Sequence, residues 1–213
     1  MSDRLPFESA VATGRGDDGT TGLLYGGGRV AKDDPRTEAY GTVDEAVATL
    51  GLVRAELGLR ERYGLLAPAF GDLDELVLRL QRELFVVGAE LATNPDARDR
   101  LVDGKTRVST TMVDELGRIL ADLEGRIEMP REFVVPGETR TSAGLELART
   151  TLRRAERRAV TLARTGALSD GSLVVPYLNR AADLLWIMAR AAEQAEERHA
   201  PPATRLGEVA PTG

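Results

Sequence analysis

The chain contains no cysteine among its 213 residues. That excludes disulfides, thiol nucleophiles and cysteine–metal centres. Its one histidine, His199, stands beside a Pro-rich C-terminal stretch, which argues against histidine triads and His-rich metal sites. No apolar run approaches the roughly 20 residues of a membrane span, and the opening MSDRLPFESA lacks a basic-then-apolar signal pattern. There is no basic excess either. The formal net charge of −6 speaks against wholesale attraction to nucleic acid or anionic membrane, although a local basic cluster could hold a small anion. The expectation is a cytoplasmic protein. Aromatic residues make up only 4%, while Ala, Leu, Arg and Glu are plentiful, a composition that favours helices over sheet.

The spacing of apolar residues agrees. Leu73, Leu76, Val77, Leu80, Leu84, Val87 and Leu91 recur at three- and four-residue intervals, the stripe of an amphipathic helix. Val108, Met112, Val113, Leu116, Ile119, Leu120 and Leu123 form a second stripe, with Thr111 and Asp114 as a weak capping pair. An earlier helix begins with Asp34 as cap and Pro35 in the first turn, and Gly58 is a plausible stop. A fourth helix is expected over about Ser142 to Arg164, ended by Gly166, and a fifth over about Leu173 to Arg198. The LLWIMA stretch of the fifth is apolar nearly all round, as in a buried central helix. The prediction is an all-α, five-helix bundle of one domain, residues 11–198, between flexible tails at 1–10 and 199–213. EFVVPGETR, between the third and fourth helices, reads as an extended crossing segment.

Two stretches carry chemistry. In SAGLELARTTLRRAERRAVTLAR, Arg149, Arg153, Glu156 and Arg157 fall within about a quarter of the helical circumference, while Arg154 and Arg158 point away. Three arginines beside one glutamate suit polyphosphate oxygens. The same spacing also describes a solvated face laced with charge pairs. In ATGRGDDGTTGLLYGGGRV, glycines at 14, 16, 19 and 22 can turn backbone N–H groups toward an anion. Thr13, Thr20 and Thr21 add hydroxyls, and Lys32 follows within reach of a phosphate chain. Neither a Walker motif nor a G-x-G-x-x-G opening a βαβ unit is present. On composition alone, the stretch could equally be a flexible arm.

Together these stretches resemble the PduO-type ATP:cob(I)alamin adenosyltransferases. TGRGDDGTTGLLYGGGRVAKDDPRTEAYGTVDEAVATLG is similar to that family's N-terminal signature. ELFVVGAELAT, EFVVPGETRTSAGLELARTTLRRAERRAV and PYLNRAADLLWIMAR follow in family order, over about Thr13 to Arg190. The resemblance implies a homotrimeric five-helix bundle with active sites between subunits. It implies transfer of the 5′-deoxyadenosyl group of ATP, with Mg²⁺, to the cobalt of reduced cobalamin, releasing triphosphate. ATP would be held by Thr13, Gly14, Arg15, Gly16, Thr21, Gly22 and Lys32, and by Arg153, Arg154, Glu156, Arg157 and Asn179. Arg149 would pair with Asp44 across the subunit boundary, and Phe133 would lie beneath the corrin ring. A flavin-dependent reductase and an adenosylcobalamin-dependent enzyme are the partner classes it leaves room for.

The chain departs from the family pattern at three places. Gly14 stands where a basic residue is usual, with Arg15 next; Glu138 replaces a glycine; Ala182 replaces a serine. Leu184, Leu185, Ile187, Met188, Trp186 and Tyr177 are expected to pack the bundle, although Tyr177 could also reach the corrin edge. Two rivals have different consequences. A corrinoid carrier would bind cobalamin without releasing triphosphate from ATP. A ferritin-like scaffold would need two Glu-x-x-His pairs, and with one histidine the sequence can supply no more than one, Glu196 to His199.

Overall fold

A computed structural model describes residues 11–63 and 71–196. The expected tails at 1–10 and 199–213, and the last residues assigned to the fifth helix, lie outside this description. Five long helices dominate: α1 (Pro35–Arg62), α2 (Leu73–Ala92), α3 (Thr110–Glu124), α4 (Arg140–Arg164) and α5 (Val174–Glu196). A 3-10 turn spans Pro95–Arg100. A two-residue antiparallel pair, β1 (Thr20–Thr21) and β2 (Val30–Ala31), precedes the helices with Thr20 opposite Ala31. α4 packs against α1 and α5; α2 lies on α1 and touches α5, and α3 covers α5. Among the described residues no helix is long and apolar enough to cross a membrane.

Local chemistry sets most boundaries. The Asp34 carboxylate accepts the Arg36 N–H at 2.8 Å and Pro35 opens α1. The expected stop at Gly58 is not used: α1 continues to Arg62 and is capped at Tyr63. A helical glycine costs only about 1 kcal/mol, and burial of Leu57 beside it holds the last turns down. The capping pair expected at Thr111 and Asp114 is also corrected. The cap is Ser109, whose hydroxyl accepts the Met112 N–H. At α4, Thr139 and Ser142 exchange bonds in a reciprocal capping box. That box anchors the irregular 131–139 segment to a rigid helix. The left-handed Gly166 lies just past the end of α4, as expected.

The core stripes of α2 and α3 are the predicted ones, with Leu80, Leu84, Leu91, Leu116 and Leu123 buried. Leu184, Leu185, Ile187 and Met188 are buried in α5, and Trp186 packs against the core partly covered. Tyr177 is fully buried and donates its hydroxyl to Glu83 Oε2 at 2.9 Å, so it is a core residue. Close approach of α4 to α1 depends on Gly144, where a Cβ would lie 2.8 Å from Val53 Cγ2. Glu90 is a buried tie between elements: it accepts the Val108 N–H at 2.7 Å and the Ser172 hydroxyl at 2.6 Å. Two arginines close the other end. Arg36, 5% exposed, and Arg98 both donate to the Ala167 carbonyl, while Arg36 also reaches the carbonyls of Leu91 and Thr93.

Candidate active site

The glycine-rich segment is neither helix nor loose arm. Leu24 pairs in parallel with Thr93 at the end of α2: its N–H donates to the Ala92 carbonyl at 2.9 Å, and its carbonyl accepts the Asn94 N–H at 3.1 Å. Asn94 Nδ2 donates to the Gly26 carbonyl at 2.9 Å. Gly27 is required at this junction, because φ is +91° and a Cβ would lie 1.9 Å from Asn94 Nδ2. These contacts dock the segment on the bundle and leave residues 13–22 projecting as a loop.

Within that loop, Gly14 has φ +67°, which explains the glycine at the first departure from the family pattern. The basic side chain follows as the exposed Arg15. Turns close from Asp17 N–H to the Gly14 carbonyl and from Gly19 N–H to the Gly16 carbonyl. Thr21 lies in β1 and Gly22 just beyond it; Thr13 is exposed. Lys32 donates its N–H to the Gly19 carbonyl, and its side chain returns over Gly16. Asp18 accepts the Thr20 hydroxyl at 2.7 Å and the Thr20 N–H at 2.9 Å. These bonds hold its carboxyl below the usual range.

Arg29 is the loop residue that the motif reading missed. Its Nε donates to Thr20 Oγ1 at 2.6 Å, and its Nη2 donates to the Arg15 and Thr20 carbonyls, each at 2.8 Å. One guanidinium thus fixes both sides of the turn. The only sequence signal was its place directly after the last glycine of GGG and three before Lys32.

On α4 the predicted division of arginines holds. Arg154 is ion-paired with Glu45 and Arg158 with Glu38, both across to α1. Arg153 and Arg157 are exposed and form no ion pair or side-chain hydrogen bond among the described residues. Asn179 Nδ2 donates to Glu156 Oε1 at 3.2 Å, bringing those two predicted residues together from α5 and α4. Arg149 Nε donates to Glu146 Oε2 at 2.6 Å, and Asp44 is exposed on α1 with no such partner among the described residues. Within one chain, no hydrogen bond or ion pair joins loop 13–22 to Arg153, Arg157 or Asn179 among the described residues. Phe133 stands on the irregular segment before α4, 84% exposed. Beside Asp44, an apolar groove of about 360 Å³ runs between α1 and α2, with Tyr40, Leu84 and Phe85 in its wall.

Loop, arginine strip, uncovered ring and groove occur together in a chain whose residues 11–192 match the Cobalamin adenosyltransferase family. The chain belongs to that family. A corrinoid adenosyltransferase of Citrobacter freundii is 38% identical over 86% of this chain and 94% of its own length. One from Bacillus subtilis is 36% identical over 84% of this chain and 83% of its own. The fold is similar to that of a phenylalanine-to-histidine variant of the PduO-type ATP:corrinoid adenosyltransferase from Lactobacillus reuteri complexed with cobalamin and ATP. That likeness has a TM-score of 0.75 and 27% identity, and covers 93% of this chain and 97% of the other. Membership of the cobalamin adenosyltransferases makes the missing cysteines and scarce histidines intelligible: the reacting metal arrives with the substrate, and the protein supplies binding and electrostatics.

Proposed function

We propose that the chain, as one domain over 11–198, transfers the 5′-deoxyadenosyl group of ATP to cob(I)alamin, forming adenosylcobalamin and triphosphate in the cytoplasm. Cob(I)alamin is a powerful nucleophile and needs no general base. Its cobalt electron pair attacks C5′ of ATP, the new Co–C bond forms, and the C5′–O bond breaks with its electrons going to triphosphate. The difficult step is the preceding one-electron reduction of Co(II), supplied by an external reductant such as a flavin-dependent reductase. A ligand on the lower face of Co(II) raises the orbital that must accept the electron. Phe133 in this reading covers that face, excluding water and the nucleotide-tail base. The observation that carries the assignment is its 84% exposure: the chain's own fold leaves a large apolar ring uncovered, positioned by the capped start of α4.

Triphosphate develops charge as it leaves, so cations must be in place beforehand. The amides and hydroxyls of Thr13, Gly14, Arg15, Gly16, Thr21 and Gly22, with Lys32, cradle the phosphates. Arg153 and Arg157 complete the site, and Asn179 with Glu156 fixes its far edge. Arg154 supports it from the Glu45 pair, orienting the strip on α1. Mg²⁺ would enter on the phosphate oxygens. Among the described residues no three metal-ligating side chains lie together, so no step is assigned to a protein-held metal.

Among the described residues no hydrogen bond or ion pair joins the loop to the arginine strip within one chain, which supports a site completed by a second copy. So do the exposed Leu52, Phe85 and Leu147, at 72%, 65% and 56%. The assembly in this reading is a homotrimer in which Asp44 of one subunit meets Arg149 of the next. An adenosylcobalamin-dependent enzyme would receive the product.

The deciding experiment is an anaerobic assay with chemically reduced cobalamin and MgATP, following the adenosylcobalamin spectrum and triphosphate. Formation of both in equal amounts is expected. Cobalamin binding without triphosphate would replace the enzyme by a carrier. Sedimentation at assay concentration tests the trimer.

A further inference from the structure

Behind the Phe133 segment lies a second cavity, of about 570 Å³, which the adenosyl-transfer chemistry does not use. Glu132 and Val134, the neighbours of Phe133, both line it. Its floor is Arg190, only 2% exposed. Arg190 Nη2 donates to Glu193 Oε1 at 2.7 Å and lies 3.4 Å from Glu146 Oε1, but Nε and Nη1 have no hydrogen-bond partner among the described residues. Buried donors left unpaired cost about 1–3 kcal/mol each, so such a group marks either an imperfect core or a place for an acceptor. The surroundings favour the second. Carboxylates of Glu128, Glu132, Glu138 and Glu193 also face the cavity, against the single further cation of Arg131. Burial pushes the Glu193 carboxyl up despite its arginine partner, and the neighbouring Glu138 adds a little to the rise.

A ligand group fitting this wall must accept from a guanidinium and donate to carboxylates, and must carry no negative charge. A primary carboxamide does both: its carbonyl oxygen accepts and its NH₂ donates. The cavity is also tied to the rest of the site. Glu146, which touches Arg190 through Oε1, holds Arg149 through Oε2.

We propose that this cavity receives a propionamide arm projecting from the lower face of the corrin ring and thereby selects amidated corrinoids over their carboxylic acids. The proposal rests on the assignment of Phe133 to that lower face. Corrin propionamides hang on the side that Phe133 covers, so a ring lying on Phe133 directs them past Glu132 and Val134. A carboxylate in the same place would add a charge to four existing ones.

The test uses the unmodified protein with ATP and compares cob(II)alamin with its b-, d- and e-monocarboxylic acids, each with one propionamide hydrolysed. Affinity is read from the visible spectrum of bound Co(II). Binding of one isomer about tenfold weaker than cobalamin is expected, a discrimination of the size that one mispaired polar group produces. Equal affinity for all three would overturn the proposal while leaving the reaction intact. Loss of cob(II)alamin binding itself would instead sink the Phe133 reading beneath it. Glu193→Gln, which keeps shape and removes charge, should narrow the penalty at least threefold. An unchanged penalty in a folded Glu193→Gln protein would also overturn the assignment.

Discussion

The Lys32 side chain lies directly over Gly16: a methyl group on Gly16 would sit 3.0 Å from Nζ and 3.3 Å from the Thr20 carbonyl oxygen. The glycine therefore serves as space, since its φ lies outside the left-handed region. Gly16→Ala should displace the ammonium from the loop while leaving the helices unchanged. The expected result is a KM for ATP raised about tenfold with the KM for cobalamin unaltered, measured by steady-state kinetics. A change in both would place the effect in the bundle.

Arg153 combines exposure with the lack of a polar partner among the described residues, whereas Arg154 and Arg158 are tied to α1. Removing Arg153 leaves no buried charge behind. Arg153→Ala should keep the helical circular dichroism spectrum and lower kcat by about 10²–10³, the usual loss when one preorganised donor to a developing anion is deleted. Arg154→Ala should cost less in turnover and more in stability.

Phe133 contributes almost nothing to its own fold, given its exposure. Phe133→Ala is expected to leave the melting temperature within a few degrees of the parent. The readout is the EPR spectrum of bound Co(II)alamin with ATP, where the five-coordinate share should rise and turnover fall together. A spectrum identical to the parent's would remove the ring from the lower face.

Gly144 predicts the stability of the α1–α4 contact. An alanine there gains helix propensity of about 1 kcal/mol but drives its methyl to 2.8 Å from Val53 Cγ2, inside van der Waals contact. Overpacking of this kind costs about 1–3 kcal/mol, so Gly144→Ala should lower the urea midpoint. The double variant Gly144→Ala/Val53→Ala should recover part of the loss from relief of the clash.

Tyr177 gives a pH signature. Burial raises its phenol well above the ordinary value, and Glu83 beside it adds to the rise. The folded state thus keeps a proton that the unfolded chain releases near pH 10. The stability this contributes is fully present below that pH and is lost as the pH climbs through and beyond it. Ultraviolet titration should show that one of the four tyrosines ionises only with alkaline unfolding. Tyr177→Phe should abolish that delayed step.

Much of this architecture is already legible in the linear order of residues. The stripes of α2 and α3 follow from apolar residues recurring every three or four positions, a periodicity set by the helix itself. Asp34 and Pro35 announce α1 because a cap acts on the next few residues. The split between Arg153 and Arg157 on one side and Arg154 and Arg158 on the other is also local, since 100° per residue decides it. Gly58 and Thr111 misled for the opposite reason: burial of Leu57 and the rival hydroxyl of Ser109 outweighed weak local signals.

What the order of residues alone determined, then, is what neighbours within a turn or two fix: the helices, the ends marked by Asp34 and Gly166, and the family motifs. Only the tertiary structure decided that Arg29 braces the loop, that Gly27 leaves room for Asn94, and that Arg190 reaches Glu146 while two of its nitrogens find no hydrogen-bond partner among the described residues. Loop braces, close approaches and buried charges depend on where packed segments and neighbouring side chains meet. Such meetings have no period in the chain; they arise when burial of the apolar stripes brings separate segments together.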